Sequence, residues 1–203
     1  MENTIDKVRT KKLGVLELLN NCRIKLSGLF SLINTSVINA KQYSQDMGIV
    51  NTKASALYDD LKGITIATTT SNKEDRPKNL RASKPVVKKI NVEIKELTTE
   101  FWDLVEKFNS AIDKNYTELR TQYKSDVVAC CQAYKTINDS GENSKAIDKG
   151  YRQQVKLIKH ILDKINSVIA EYKDEREKVE NIKTDFNRTL NFASTLSDKL
   201  IEA

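Results

Sequence analysis

A seam of alternating four- and three-residue steps begins at Val8. It runs through Lys12, Val15, Leu19, Cys22, Leu26, Leu29, Ile33, Ser36, Ala40, Tyr43, Met47, Val50, Ala54, Leu57 and Leu61, and fourteen of these sixteen positions are apolar. A strand would split such a series between its two faces, whereas a helix gathers it into one stripe. Seven heptads of it imply a long helix packed along its length against other helices. Leu16, Phe30 and Val37 widen the stripe, so more than one neighbour is expected. Gly14, Gly28 and Gly48 interrupt it at about 1 kcal/mol each relative to Ala, which marks expected bends or points of close packing.

The seam stops at Gly63, and the following Ile64-Thr65-Ile66-Ala67-Thr68-Thr69-Thr70 is β-branched before a polar, basic stretch bracketed by Pro77 and Pro85. This pattern predicts a basic loop over 63–84. A second helix is expected to start at Pro85, a good first-turn residue, and to run to Ile137. From Leu104 to Ile137 its apolar positions repeat about every 3.67 residues, the eleven-residue period of a straight or slightly right-handed helix. The segment 138–144 reads as a turn, with Gly141 as helix terminator and Ser144 as the next cap. The third helix carries a heptad from Tyr151 to Leu200 in which twelve of fifteen members are apolar, the exceptions being Arg176, Lys183 and Ser197. Residues 171–178 mix charges of both signs, as a solvated face does.

Composition narrows the class. Six Gly and two Pro in 203 residues are about 4% of the chain, against roughly 12% in average usage, and sheet, barrel and nucleotide-binding folds need more turns than that supports. The expected fold is all-α, an elongated antiparallel three-helix coiled-coil bundle forming one domain over 1–203. Its helices fall at about 4–62, 85–137 and 144–202, and at 1.5 Å per residue they make a rod of about 80–90 Å. Two tandem spectrin-like repeats would fit the length, but they need breaks near residues 30, 110 and 170 that the pattern lacks. No apolar run reaches the roughly 18 residues of a membrane span. The N-terminus has no basic and apolar leader, so a cytoplasmic protein is expected, peripheral to a membrane if it meets one.

Catalytic chemistry finds few residues to use. His160 is the sole histidine, flanked by Ile158, Ile161 and Leu162, with nothing to orient it. Cys22, Cys130 and Cys131 form no metal-ligand pattern, and an odd count with two adjacent makes a poor disulfide framework. Cys130 falls on the seam as a small hydrophobe, while Cys131 is read as the exposed, oxidisable one. The expectation is a protein without enzymatic activity, cofactor or metal. Trp102, beside Phe101, is the candidate anchor of a partner interface.

Charge is where the chain departs from a plain bundle. Residues 76–89 carry Arg76, Lys78, Arg81, Lys84, Lys88 and Lys89 and no acid. Outside this segment 28 basic residues balance 28 acidic ones, so these six carry the whole net charge of +6. Lys88 and Lys89 near a helix start oppose the dipole, so the cluster does not serve helix stability. Lys7, Arg9, Lys11 and Lys12 form a smaller patch, partly offset by Glu2 and Asp6. An anionic surface is the partner such clusters fit. An acidic membrane is favoured over nucleic acid, because the segment lacks stacking aromatics and the neutral helices offer no basic groove.

With seams over Val8 to Leu61, Val87 to Ile137 and Tyr151 to Leu200 and these basic clusters, the architecture is similar to the BAR superfamily. That resemblance implies a homodimer that senses or moulds membranes through cationic surfaces. Such domains commonly carry basic residues along a curved face as well as at the tips, whereas here the helices balance to neutrality. The leading expectation is a dimeric, BAR-like scaffold on acidic membranes. A coiled-coil structural or adaptor subunit that pairs with protein helices through Trp102 and spare apolar stripes is the alternative. A helical pore-forming toxin component, with Ile64 to Ala67 as its membrane-seeking element, is the third.

Overall fold

No member of the Val8 to Leu61 seam is exposed, and Val37 takes the fully buried place beside the half-buried Ser36. The computed structural model describes residues 2–139 and 145–202. They form α1 (Glu2–Thr70), α2 (Arg76–Ser110), α3 (Asn115–Asn138) and α4 (Lys145–Glu202), with no strand among the described residues. The expected turn signals Gly141 and Ser144 lie outside them. No described helix is long and apolar enough to cross a membrane.

The helices depart from the sequence expectation at three places. Residues 63–84 are not a loop: α1 continues to Thr70 and α2 begins at Arg76, leaving only 71–75 as a link. The β-branched run stays helical because Ile64 packs against the Leu61, Val87 and Leu200 core. Thr65, Thr68, Thr69 and Thr70 also turn their hydroxyls back onto carbonyls three or four residues earlier, at 2.8–3.0 Å. Tertiary packing here overrides a modest propensity cost. Pro77, not Pro85, is the first-turn proline of α2. Pro85 lies inside the helix on its exposed side, where the missing N–H leaves the Arg81 carbonyl without its helical partner.

The third departure divides the expected second helix. Between α2 and α3, the Asp113 side chain accepts the Asn115 N–H at 2.9 Å, and Tyr116 N–H donates to the Asp113 carbonyl at 3.0 Å. An aspartate offering both oxygens to the residues ahead of it starts a helix rather than continuing one. The eleven-residue period therefore spans a break.

The described chain divides into two units. Unit 1 comprises Met1–Ile38 and Ile112–Glu171, and unit 2 comprises Asn39–Ala111 and Tyr172–Ala203. In unit 2, Ala40, Met47, Val50 and Ala54 of α1, Phe101, Leu104, Val105 and Phe108 of α2, and Val179 and Phe186 of α4 close one core. Its centre is the Phe101 and Phe186 pair, stacked at 3.8 Å and 10°. A second cluster joins Leu61, Val87, Ile90, Ala193 and Leu200. The order of these contacts makes α2 run against both α1 and α4. One position of the α4 seam is corrected: Arg176 is exposed, and Glu175 is buried in its stead. Burial alone would raise the Glu175 carboxyl, but hydrogen bonds from Ser44 and Lys178 hold it below its usual value.

Unit 1 is built differently. Lys12, the charged member of the seam, is 1% exposed and donates to Asn138 Oδ1 at 3.0 Å and Asp148 Oδ1 at 3.3 Å. Tyr134 donates to the same Asp148 oxygen at 2.6 Å and stacks on Tyr151 at 3.8 Å. The Tyr134 hydrogen bond, opposed by burial and aided by Lys12, holds the Asp148 carboxyl below the usual carboxylate range. Gly14, Gly28 and Gly48 have open space where a Cβ would stand, so none marks close packing. Gly150 does, with Leu16 Cδ2 3.4 Å from the position of a Cβ.

Candidate functional site

The basic residues of 76–89 occupy the first four turns of α2, in unit 2. Val87, Ile90, Phe101 and Leu104 turn one side of this helix into the core. On the remaining surface Arg76, Lys78, Arg81, Lys88 and Lys89 are exposed and Lys84 is half-buried. The first turn carries no acid. Among the described residues Lys89 alone of the six has an ion pair, a 3.6 Å contact with Glu93 one turn on. Among the described residues Arg76, Lys78, Arg81, Lys84 and Lys88 have no carboxylate partner. Arg76 and Lys78 stand in the first turn, where cations oppose the helix dipole, but Lys88 and Lys89, expected near a helix start, fall in the fourth turn because α2 begins at Arg76, and the dipole does not act on them.

Residues seven apart on a helix drift by only about 20°. Arg81, Lys88, Lys95 and Trp102 follow one another at that spacing, all exposed, in a line of about 32 Å along α2. Lys84 sits between the first two. Trp102 is 42% exposed and meets the buried Phe101 edge-on at 5.7 Å, so one side of the indole is anchored and the other faces outward. The structure thus brings Arg81, Lys84 and Lys88 of the basic segment and Trp102 onto one side of one helix. It also adds Lys95, outside the segment that the charge count picks out. The signal for it was present as the seven-residue step from Arg81 through Lys88.

The acids near this end lie to another side. Asp59, Asp60 and Glu93 border a cavity of about 570 Å3 between α1 and α2 together with Lys89. Lys78 and Lys89, eleven residues apart, face that flank.

The smaller patch is in unit 1 and is reduced by one. Lys7, Arg9 and Lys11 are exposed, but Lys12 is buried against Asp148 and Tyr134 and presents no charge to a surface. A lysine at a seam position is pulled inward by its aliphatic stem, and the Asp148 carboxylate satisfies its head. His160 is exposed on α4. Among the described residues no three His, Cys, Asp or Glu side chains converge in a way that could hold a metal ion.

Compared with protein-family models, with curated proteins and with solved structures, the chain finds no match in any of the three.

Proposed function

We propose that this chain is a non-catalytic helical scaffold that docks on acidic membrane surfaces through the outward side of α2. In this reading its helices form an antiparallel three-helix coiled-coil bundle and the working form is a dimer, as the BAR-superfamily likeness implies. The observation that carries it is the set of three unpaired cations, Arg81, Lys84 and Lys88, in line along α2 with Lys95 and the exposed Trp102. Near an acidic leaflet each basic residue contributes about 1 kcal/mol, so Arg81, Lys84, Lys88 and Lys95 together give a reversible attachment. Trp102 adds an amphipathic ring of the kind that settles at headgroup depth. Attraction of this sort is screened as the Debye length shrinks with salt.

Co-sedimentation with vesicles tests the proposal. The protein is expected to pellet with phosphatidylserine-containing vesicles at low salt, to be released as salt rises, and to stay in solution with phosphatidylcholine alone. Equal and negligible binding to both vesicle types overturns it.

A second reading, a structural or adaptor subunit without membrane binding, rests on exposed apolar side chains of unit 1. Leu13, Ile24 and Ile38 are 49%, 55% and 58% exposed, and steps of eleven and fourteen residues place them on one side of α1. Light scattering distinguishes the readings: self-association or complex formation that persists without lipid, combined with absent vesicle binding, selects the adaptor. The membrane-seeking role considered for Ile64 to Ala67 has less support, because Ile64 packs into the unit 2 core.

A further inference from the structure

Cys22 and Cys130 stand 108 positions apart in the chain, on α1 and α3. Both are buried in unit 1, close enough for each thiol to perturb the other. The pair lies at the base of a cavity of about 520 Å3 whose rim includes the exposed Leu18, Ile24, Lys25 and Ala129. A small reagent therefore has a route to both sulfurs from one cavity. Cys131, one residue on, turns away by about 100° and lines a different cavity, with Tyr151 of α4.

We propose that Cys22 and Cys130 are a redox modification site, at which a low-molecular-weight disulfide converts the thiol pair into a cross-link tying α1 to α3. The exchange balances in two steps. The Cys22 thiolate attacks the reagent R–S–S–R, forms Cys22–S–S–R and expels one RS⁻. The Cys130 thiolate then attacks the Cys22 sulfur and expels the second RS⁻. The two cysteine protons end on the two released thiols, so the reagent is reduced by the two electrons the protein loses.

The roles follow from the contact. Burial, reinforced by Asp126, raises the Cys22 thiol, while the neighbouring Cys130 and Lys25 draw it back, so Cys22 is the better-supported thiolate of the two. Burial, together with the neighbouring Cys22, pushes the Cys130 thiol up to about 11. That holds the pair reduced and slow wherever free thiols dominate, and makes closure a response to sustained oxidation. Once formed, the bond closes a loop of more than a hundred residues in the unfolded chain, the case in which a cross-link restricts that state most.

The test treats the folded protein with 2,2′-dithiodipyridine at mildly alkaline pH, followed by intact mass and peptide mapping without reductant. The expected product of the Cys131→Ser variant is a mass loss of about 2 Da with no pyridyl adduct retained, and a linked pair of peptides containing Cys22 and Cys130. In the unsubstituted protein the same link is expected, with any retained adduct confined to Cys131. The oxidised form should melt about 10 °C higher, reversibly on reduction. Adduct retained on Cys22 or Cys130, a link through Cys131, or no reaction overturns the proposal; a link without a rise in melting temperature overturns the claim that it ties the helices.

Discussion

The two units solve the same packing problem with different chemistry. Unit 2 closes on phenylalanines, with Phe101 stacked on Phe186 and Phe108 on Tyr172. It keeps its charge outside on α2, apart from the buried Glu175. Unit 1 places a lysine, an aspartate, a tyrosine stack and two thiols at the junction of its helices. Among the described residues, three of the four buried side-chain atoms without a protein hydrogen bond, on Arg23, Arg120 and Gln154, also belong to it. An apolar core stabilises through contact area and is indifferent to pH. A polar junction is worth little net, yet it penalises the loss of any one member because the partner is left stranded. Unit 2 should therefore be sensitive to volume, and unit 1 to charge and protonation.

The largest expected effect is in unit 2. Phe186→Ala removes the stacked partner of Phe101 and should cost about 3–5 kcal/mol in denaturant unfolding; a loss below 1 kcal/mol would mean that the stack is not the centre of that core. Next comes Lys12→Ala, expected at about 2–4 kcal/mol because Asp148 loses its buried cation. Lys12→Met sharpens the contrast, since it keeps the stem and discards the charge, and should recover part of that loss. If Met and Ala are equally damaging, the ion pair rather than the packing carries the position.

At the alkaline end protonation acts most strongly on unit 1, although burial also raises Tyr172 of unit 2. Burial, reinforced by the Asp148 hydrogen bond, pushes the Tyr134 phenol far above its usual value, and burial with the Cys131 contact pushes Tyr151 up to about 12. Groups raised on folding contribute stability that is complete below the unfolded value near 10 and is lost as pH climbs from there. Stability measured from pH 9 to 12 should fall, and Tyr134→Phe should flatten that fall. On the acid side Asp148 and Glu175 are both held low, so each unit loses stability as pH drops below about 4. The smallest effect belongs to Gly28→Ala on the exposed side of α1, expected to gain about 0.5–1 kcal/mol because nothing stands in the way of a Cβ.

How much of this was legible in the sequence depends on which force decided each feature. The Val8 to Leu61 seam was readable because burial along a helix leaves a period. The end of α1 was misplaced because Gly63 and the threonines were weighed by local preference, while Ile64 had a core to join. The break at 111–114 was masked by an apolar period that happens to continue across it, although Asp113 followed by Asn115 is a recognisable turn signal. Lys12 was counted twice, as seam member and as surface charge, and packing chose the seam. On the functional side the six cations stood out as a charge block, but their alignment with Lys95 and Trp102 required knowing that the block is helical. The Cys22 and Cys130 contact depends on the register of α1 against α3, which no local pattern encodes.

The central claim is that the side of α2 carrying Arg81, Lys88, Lys95 and Trp102 is the docking surface. Because Trp102 is the only tryptophan, its fluorescence reports on that side alone. Titration with phosphatidylserine-containing vesicles should shift its emission to shorter wavelength as the indole leaves water, and the shift should vanish at high salt and in an Arg81→Glu, Lys88→Glu, Lys95→Glu variant. Vesicle binding with unchanged Trp102 emission, or a triple variant that binds as well as the original chain, would contradict the account.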